Sequence, residues 1–357
     1  FSVANGSLSD LSSSDGGLTW TATLTPTVGV THTSNLITLN NTGYADAAGN
    51  TGTGATDSNS YAIDTLRPTA TIVVSDTALA VGETSLVTIS FSEAVSGLTT
   101  SDFSVANGSL SDLSSSDGGL TWTATLTPTV GVTNTSNLIT LNNSGYADAA
   151  GNTGSDITDS NSYAIDTLRP TASIVVDDTA LKAGESALVT INFNEAVTGL
   201  DLADFSVEHG ALSDLTSSDG GRTWKATFTP AAGHTSTGNV ITLNNTGYAD
   251  AAGNSGMGTT VSTAYAVDTI DPVAPEIILD QATLVDGLRV SPTGLVFVSD
   301  LEPGGSWRYS LDNGASWIEG RGNTVQLPGL GAFSLWVQQR DAAGNLSTVT
   351  ALGGIVE

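Results

Sequence analysis

Cysteine is absent from the 357 residues, and lysine and arginine together number only 9. The first absence excludes a disulfide framework and any thiolate metal site. It does not argue against export, because a large exported protein can do without thiols. The second leaves 36 Asp and Glu almost unopposed, for a formal charge of −27. Nucleic acids and anionic membrane surfaces are bound through clusters of Lys and Arg, so neither is an expected partner. Most of the cations lie late in the chain, among them Arg222, Arg289, Arg308, Arg321 and Arg340, which leaves the earlier part almost purely acidic. No apolar run approaches the roughly 20 residues that span a bilayer, so membrane insertion is not expected. Yet 39% of residues are hydrophobic and only 13% are charged, which is not the composition of a disordered acidic tail. Ser, Thr, Asn and Gly make up the difference, as expected of sheets with one solvated face and many turns.

The strongest signal present is self-similarity. Phe1, Trp20, Tyr44 and Asp64 recur 102 positions later as Phe103, Trp122, Tyr146 and Asp166, and again as Phe205, Trp224, Tyr248 and Asp268. Residues 1–67 and 103–169 differ only at positions 32, 42, 53, 54 and 55. The segment Pro68–Asp102 has no counterpart before Phe1, so the chain opens mid-pattern, and its true N-terminus is expected to lie upstream. The expected organisation is a partial repeat (1–66) lacking its first strands, two complete repeats (67–168 and 169–271), and a divergent last domain (272–357).

Within a repeat the alternation has the period of a strand. Ile72 and Val74 suggest one strand, and Val87, Ile89 and Phe91 line a face of the next. Phe103 and Val105 lead to the turn dipeptide Asn107-Gly108, and a short strand near Leu110–Leu113 ends at Asp117-Gly118-Gly119. Leu120, Trp122, Ala124 and Leu126 then alternate with threonines, and Ile139/Leu141 and Tyr163/Ile165 complete seven strands. No segment has helical periodicity. Seven short strands in about 100 residues predict an all-β, two-sheet sandwich, here read with up-and-down connectivity. Trp122 shares phase with apolar neighbours and is expected in the core rather than on a ligand. Trp307 and Tyr309 are also expected in the core. Trp336 breaks phase with Phe333, Leu335 and Val337 and should point outward, against a neighbouring domain or as part of a binding surface.

Catalysis finds no foothold. His32 becomes Asn134 and Ser236 in the other repeats, His209 replaces Asn107, and His234 replaces Val132, so each is expected on a solvated loop without a spaced partner. With no recurring histidine base, the many serines do not form a nucleophile arrangement. Carboxylate pairs for glycoside hydrolysis lack a cleft or an aromatic platform. The chain is not expected to be an enzyme.

Five motifs occur in order: Phe91-Ser-Glu-Ala-Val, Asp102-Phe, Asp117-Gly-Gly, Tyr146-Ala-Asp-Ala-Ala-Gly-Asn and Ile165-Asp-Thr-Leu-Arg-Pro. Through them residues 1–271 resemble the bacterial Ig-like tandem repeats of large secreted adhesins and biofilm-associated proteins. The last domain resembles a second Ig-like type from the same proteins, through Tyr309-Ser-Leu-Asp-Asn-Gly-Ala-Ser-Trp and Gln339-Arg-Asp-Ala-Ala-Gly-Asn. The resemblance implies tandem immunoglobulin-like β-sandwich domains in an elongated array, secreted to the bacterial cell surface. It also implies an extender role in cell adhesion or biofilm formation, with calcium near domain junctions.

Physical reasoning narrows which residues would meet there. In a sandwich, the loop holding Glu93 and Asp102 and the loop holding Asp148 and Asn152 return to the pole where Asp64 arrives from the preceding repeat. Calcium takes six to eight oxygen ligands from carboxylates, amides and carbonyls, whereas magnesium demands near-octahedral geometry and keeps its waters. Gly151 can take positive φ and turn a carbonyl inward. The equivalent set one repeat later is Asp166, Glu195, Asp204, Asp250 and Asn254. Beyond it come Asp268 and Asp271 with Asp300, Asp341 and Asn345, and Asp46 with Asn50 repeats the loop in the first, partial unit. The alternative is that each Asp-x-x-Gly-Asn is an Asx-type turn without metal. The functional expectation is a structural extender stiffened by calcium between neighbouring repeats. Its rival is a ligand-binding module in which the last domain recognises a glycan or a host protein.

Overall fold

The computed structural model describes residues 1–357. The chain divides into two compact units, Phe1–Leu168 and Arg169–Glu357. Strands dominate both, and the helical turns are short 3-10 segments. No helix is long and apolar enough to cross a membrane.

In the first unit, the second repeat is a sandwich. One sheet runs in the order Gly108–Ser115, Thr121–Pro128, Ser85–Phe91, Ala70–Val74. Its inward residues are set by register: Ala124 stands opposite Val87, Trp122 opposite Ile89, and Ile89 opposite Ile72. Side chains alternate across the pleat, so this register puts Val87, Ile89, Ala124 and Leu126 in the core and the intervening threonines outside. The facing layer comprises Phe103–Val105, Ile139–Asn142 and Ile157–Asp159, and beside them Thr133–Asn137, Tyr163–Asp166 and Ala78–Leu79. Trp122 packs against the core as expected, and Tyr146 meets Phe91 edge-on at 4.7 Å.

Three features depart from the sequence reading. Ser85–Phe91 pairs with Thr121–Pro128 and not with the next strand, Phe103–Val105, so the connections cross between sheets and are not up-and-down. Leu120 precedes its strand and is exposed. Ala78–Leu79, Thr133–Asn137 and Ile157–Asp159 are additional strands, short or polar, and so without an apolar alternation to announce them.

The partial repeat keeps a two-stranded sheet, Gly6–Ser12 with Thr21–Pro26. The second repeat covers this position with two further strands. Here Trp20 is 57% exposed and Phe1 60%, so the face left without those strands is bare at its tryptophan, while Leu24 and Ile37 are half-buried.

In the second unit the third repeat has the same two layers, with Phe228 replacing Leu126 in the core. The last domain pairs Glu276–Leu279, Leu295–Ser299 and Thr324–Gln326 in one sheet. A six-stranded sheet, centred on Thr350–Val356 and Gly331–Arg340, faces it. Trp307 lies in its core, and Tyr309 packs against it.

One turn is common to all four domains and was not read as a unit from the sequence. Ser-x-Asp-x-Gly-x-x-Trp occurs at Ser13–Trp20, Ser115–Trp122, Ser217–Trp224 and Ser310–Trp317. In the second repeat Ser115 Oγ donates to Asp117 Oδ1 at 2.9 Å and accepts from Gly119 N at 2.9 Å. Asp117 Oδ1 also accepts from Thr121 N at 2.9 Å. The last domain repeats the pattern: Ser310 Oγ donates to Asp312 at 2.7 Å, while Gly314 N donates to Ser310 Oγ and Ser316 N to Asp312, each at 2.8 Å. A spacing recurring in an otherwise divergent domain was the available signal. The turn also explains Trp336. Its ring is half-buried beneath Gly314, close to Trp317, and Arg308 lies 4.6 Å above the Trp317 ring. Trp336 does point out of its sheet, but the domain's own hairpin covers it.

Candidate metal centre

The Asp148 loop is built from backbone demands. Asp148 N donates to Asn152 O at 3.1 Å, and Gly151 closes the turn at φ 92°, a conformation that favours glycine. Asp148 Oδ1 accepts from Ala150 N and Asn152 N, each at 2.8 Å, and Oδ2 accepts from Asn152 Nδ2 at 2.8 Å. This is the Asx-type turn of the alternative reading, and it holds the carboxylate rigidly. The preceding residue joins the loop to its neighbour: Ala147 and Ser96 exchange backbone bonds of 2.8 and 3.1 Å. That bridge brings Glu93, on the same connection as Ser96, beside Asp148.

The third side comes from the partial repeat. Asn152 Nδ2 also donates to Asp64 O at 3.1 Å, and just beyond the partial repeat Arg67 Nη1 donates to Thr153 O at 2.7 Å. Carboxylate oxygens of Asp64, Glu93 and Asp148 then lie within 4.8 Å of one another. Asp148 is 5% exposed, and Glu93 Oε1 is shut off from solvent with no hydrogen-bond partner. Burial, then the charges of Asp148 and Asp64, push the Glu93 carboxyl above its ordinary value. Burial pushes Asp148 the same way, but the hydrogen bonds from Asn152, Ala150 and Gly151 outweigh it and hold that carboxyl below the usual range. A cation of hard, oxygen-seeking character fits this donor set, beside which Asn152 presents its Nδ2 to Asp148 Oδ2 and Asp64 O.

The other expected residues take different places. Asp102 stands apart from the group: its Oδ2 accepts from Thr99 N at 2.8 Å and Thr99 Oγ1 at 2.9 Å, capping a short 3-10 turn against Gly145. Asp204 does the same for Asp201 N at 2.9 Å, beside Gly247. Asp46 and Asn50 form the loop alone and exposed, with Asn50 Nδ2 on Asp46 Oδ2 at 2.9 Å. In the first unit Asp166 accepts from Thr133 Oγ1 at 2.8 Å. In the second, Asp250 accepts from Asn254 N at 2.8 Å and Asn254 Nδ2 at 2.9 Å, and Glu195 accepts from Asn194 at 3.3 Å.

Where the third repeat meets the last domain, Asp268, Asp300 and Asp341 form no comparable carboxylate group. Amides make that connection. Asn345 Nδ2 donates to Asp268 O at 3.0 Å, and its Oδ1 accepts from Ala183 N at 2.9 Å. Gln339, 1% exposed, donates to the carbonyls of Val273 and Asp300 and accepts from Glu302 N at 2.8 Å. The Lys182 amine also reaches Gly344 in the Asp341 loop. Sequence reasoning missed Gln339, whose signal was a lone amide in phase with Leu335 and Val337.

A family model described as a bacterial Ig-like domain matches residues 1–63, 64–165 and 166–267. The chain belongs to the bacterial Ig-like domain family. No curated protein matches it. Among solved structures, an Escherichia coli adhesin, FdeC, is similar at 16% identity and a TM-score of 0.33, over 81% of this chain and 96% of that one. The Yersinia pseudotuberculosis adhesin InvE is similar at 16% identity and a TM-score of 0.23, over 64% and 66%.

Proposed function

We propose that this chain is an extender segment of a bacterial surface adhesin, in which calcium held by Asp64, Glu93 and Asp148 stiffens the connection between successive repeats. The segment serves cell adhesion or biofilm formation by spanning distance, not by catalysis. The observation that carries the reading is the Glu93 oxygen, buried without a partner among two further carboxylates. Desolvating like charges together is costly unless a cation or proton compensates. Without metal the three carboxylates repel one another, and the bond from Asn152 to the Asp64 carbonyl opposes bending. With metal, ligands from both repeats share one ion. Extracellular modules hold calcium with Kd of about 10⁻⁴–10⁻³ M, so the connection is stiff outside the cell and loose within it.

Because the chain has no cysteine, two introduced thiols can be spin-labelled cleanly. Thr25 and Thr127, exposed and one repeat apart, are suitable positions. The expected outcome is a distance distribution that narrows with calcium and broadens with chelator. An unchanged width would remove the stiffening role.

A further inference from the structure

The sequence places His209 and His234 on separate loops with no partner, 25 positions apart, yet their rings lie 4.8 Å apart between centroids, tilted by 41°. Both side chains are exposed. From this geometry we infer that His209 and His234 form a two-imidazole binding site for a first-row transition-metal dication such as Zn²⁺, Cu²⁺ or Ni²⁺, present only in the third repeat.

The distance fits chelation. A Zn–N bond of about 2.1 Å plus about 1.1 Å from nitrogen to ring centre puts each centroid about 3.2 Å from a shared ion. Centroids 4.8 Å apart then subtend roughly 97° at that ion, between the octahedral and tetrahedral angles. Water fills the remaining positions because both rings reach solvent. Imidazole selects these ions over calcium, which takes oxygen ligands. The surrounding excess of carboxylates, −27 overall, concentrates dications near the surface without discriminating among them.

The two loops are already anchored in this arrangement. Ala231 N donates to His209 O at 2.8 Å, His234 N to Thr269 Oγ1 at 3.0 Å, and Thr269 N to His234 O at 2.8 Å. His209 has φ 54°, as does its counterpart Asn107. In the earlier repeats this corner is built differently: Asn5 donates to Asn35 and Asn107 to Asn137, each at 2.7 Å, and the facing residues are Val30 and Val132. In the third repeat Ser236 Oγ supplies the bond to Asn239 Oδ1 at 2.9 Å. That substitution frees position 209 from its structural bond, and position 234 has gained a second imidazole. His32 is different, since its Nδ1 accepts from Ser34 N at 3.3 Å.

The second repeat supplies fold-compatible variants, His209→Asn and His234→Val, and His32→Asn is the control. The untagged full chain, with calcium in excess to occupy carboxylate sites, is titrated with Zn²⁺ by calorimetry, and its Cu²⁺ complex is examined by electron paramagnetic resonance. The expected result is one bound equivalent with imidazole nitrogen coupling. Each single variant should weaken binding by at least the roughly tenfold that losing an outer partner of a ligand costs, while His32→Asn leaves it unchanged. The absence of a bound equivalent, or an affinity unaltered in His209→Asn and His234→Val variants that melt like the parent, would overturn the assignment.

Discussion

Asn152 Nδ2 donates to the carbonyl oxygen of Asp64, 88 residues earlier in the chain, at 3.1 Å, while holding Asp148 Oδ2 at 2.8 Å. One amide thus fastens the loop of one repeat to the last strand of the repeat before it. Asn345 does the same for Asp268 and Asp341, at 3.0 and 2.7 Å.

Asn152→Ala removes both bonds and leaves two part-buried acceptors unpaired. A loss of about 1–3 kcal/mol is expected, read as a lower melting temperature for the first unit by scanning calorimetry.

The two amide latches should respond differently to metal. A ligand that binds only the folded state stabilises it by about 2.7 kcal/mol at a hundredfold excess over Kd. Calcium should therefore raise the melting temperature, and Asp148→Ala should reduce that gain. Asn345→Ala should lower stability equally with calcium or with chelator, because Asp341 beside it belongs to no cluster of three carboxylates. Thermal melts of the two variants in both conditions give the comparison.

Acid titration separates two kinds of carboxylate. Hydrogen bonds from Thr19 and Ser13 hold Asp15 at about 2, and those from Ser316 and Ser310 hold Asp312 at about 2. Their folded values lie below the unfolded ones. The stability they contribute is therefore complete above about pH 4 and is lost as pH falls toward 2. Glu93 has the opposite sign. Its folded value is raised, so its contribution favours folding at low pH and disappears as pH rises through that value. Circular dichroism against pH should show Asp312→Asn flattening the acid limb of the second unit. Without calcium, Glu93→Gln should make the first unit more stable at neutral pH.

Gly119 sits at φ 102° with the Val95 carbonyl against the position a Cβ would take. Gly119→Ala therefore combines backbone strain of about 1–3 kcal/mol with a clash, and urea unfolding should show at least that loss. Gly131→Ala, at φ 76° in open space, should cost less.

The repeat period, the sandwich and the apolar faces were legible because alternation at Val87, Ile89, Ala124 and Leu126 reports burial directly. Polar strands such as Thr133–Asn137 were not, since backbone pairing with Tyr163–Asp166 forms them and, apart from the buried Asn137, their side chains face water. At the site, Asp64, Glu93 and Asp148 were found by tracing loops to one pole. Asp102 is on the right loop but is consumed by its own cap at Thr99. Pairings across loops, such as His209 with His234 or Gln339 with Val273, depend on tertiary placement, and a residue's neighbours in sequence do not encode it.

Asp64, Glu93 and Asp148 are expected to hold one calcium ion between them. Calorimetric titration of the full chain with calcium, beside the same titration of Glu93→Gln, addresses it most directly. Binding with Kd of about 10⁻⁴–10⁻³ M is expected in the parent, and one fewer binding event in the variant. Identical isotherms for the two chains would contradict it.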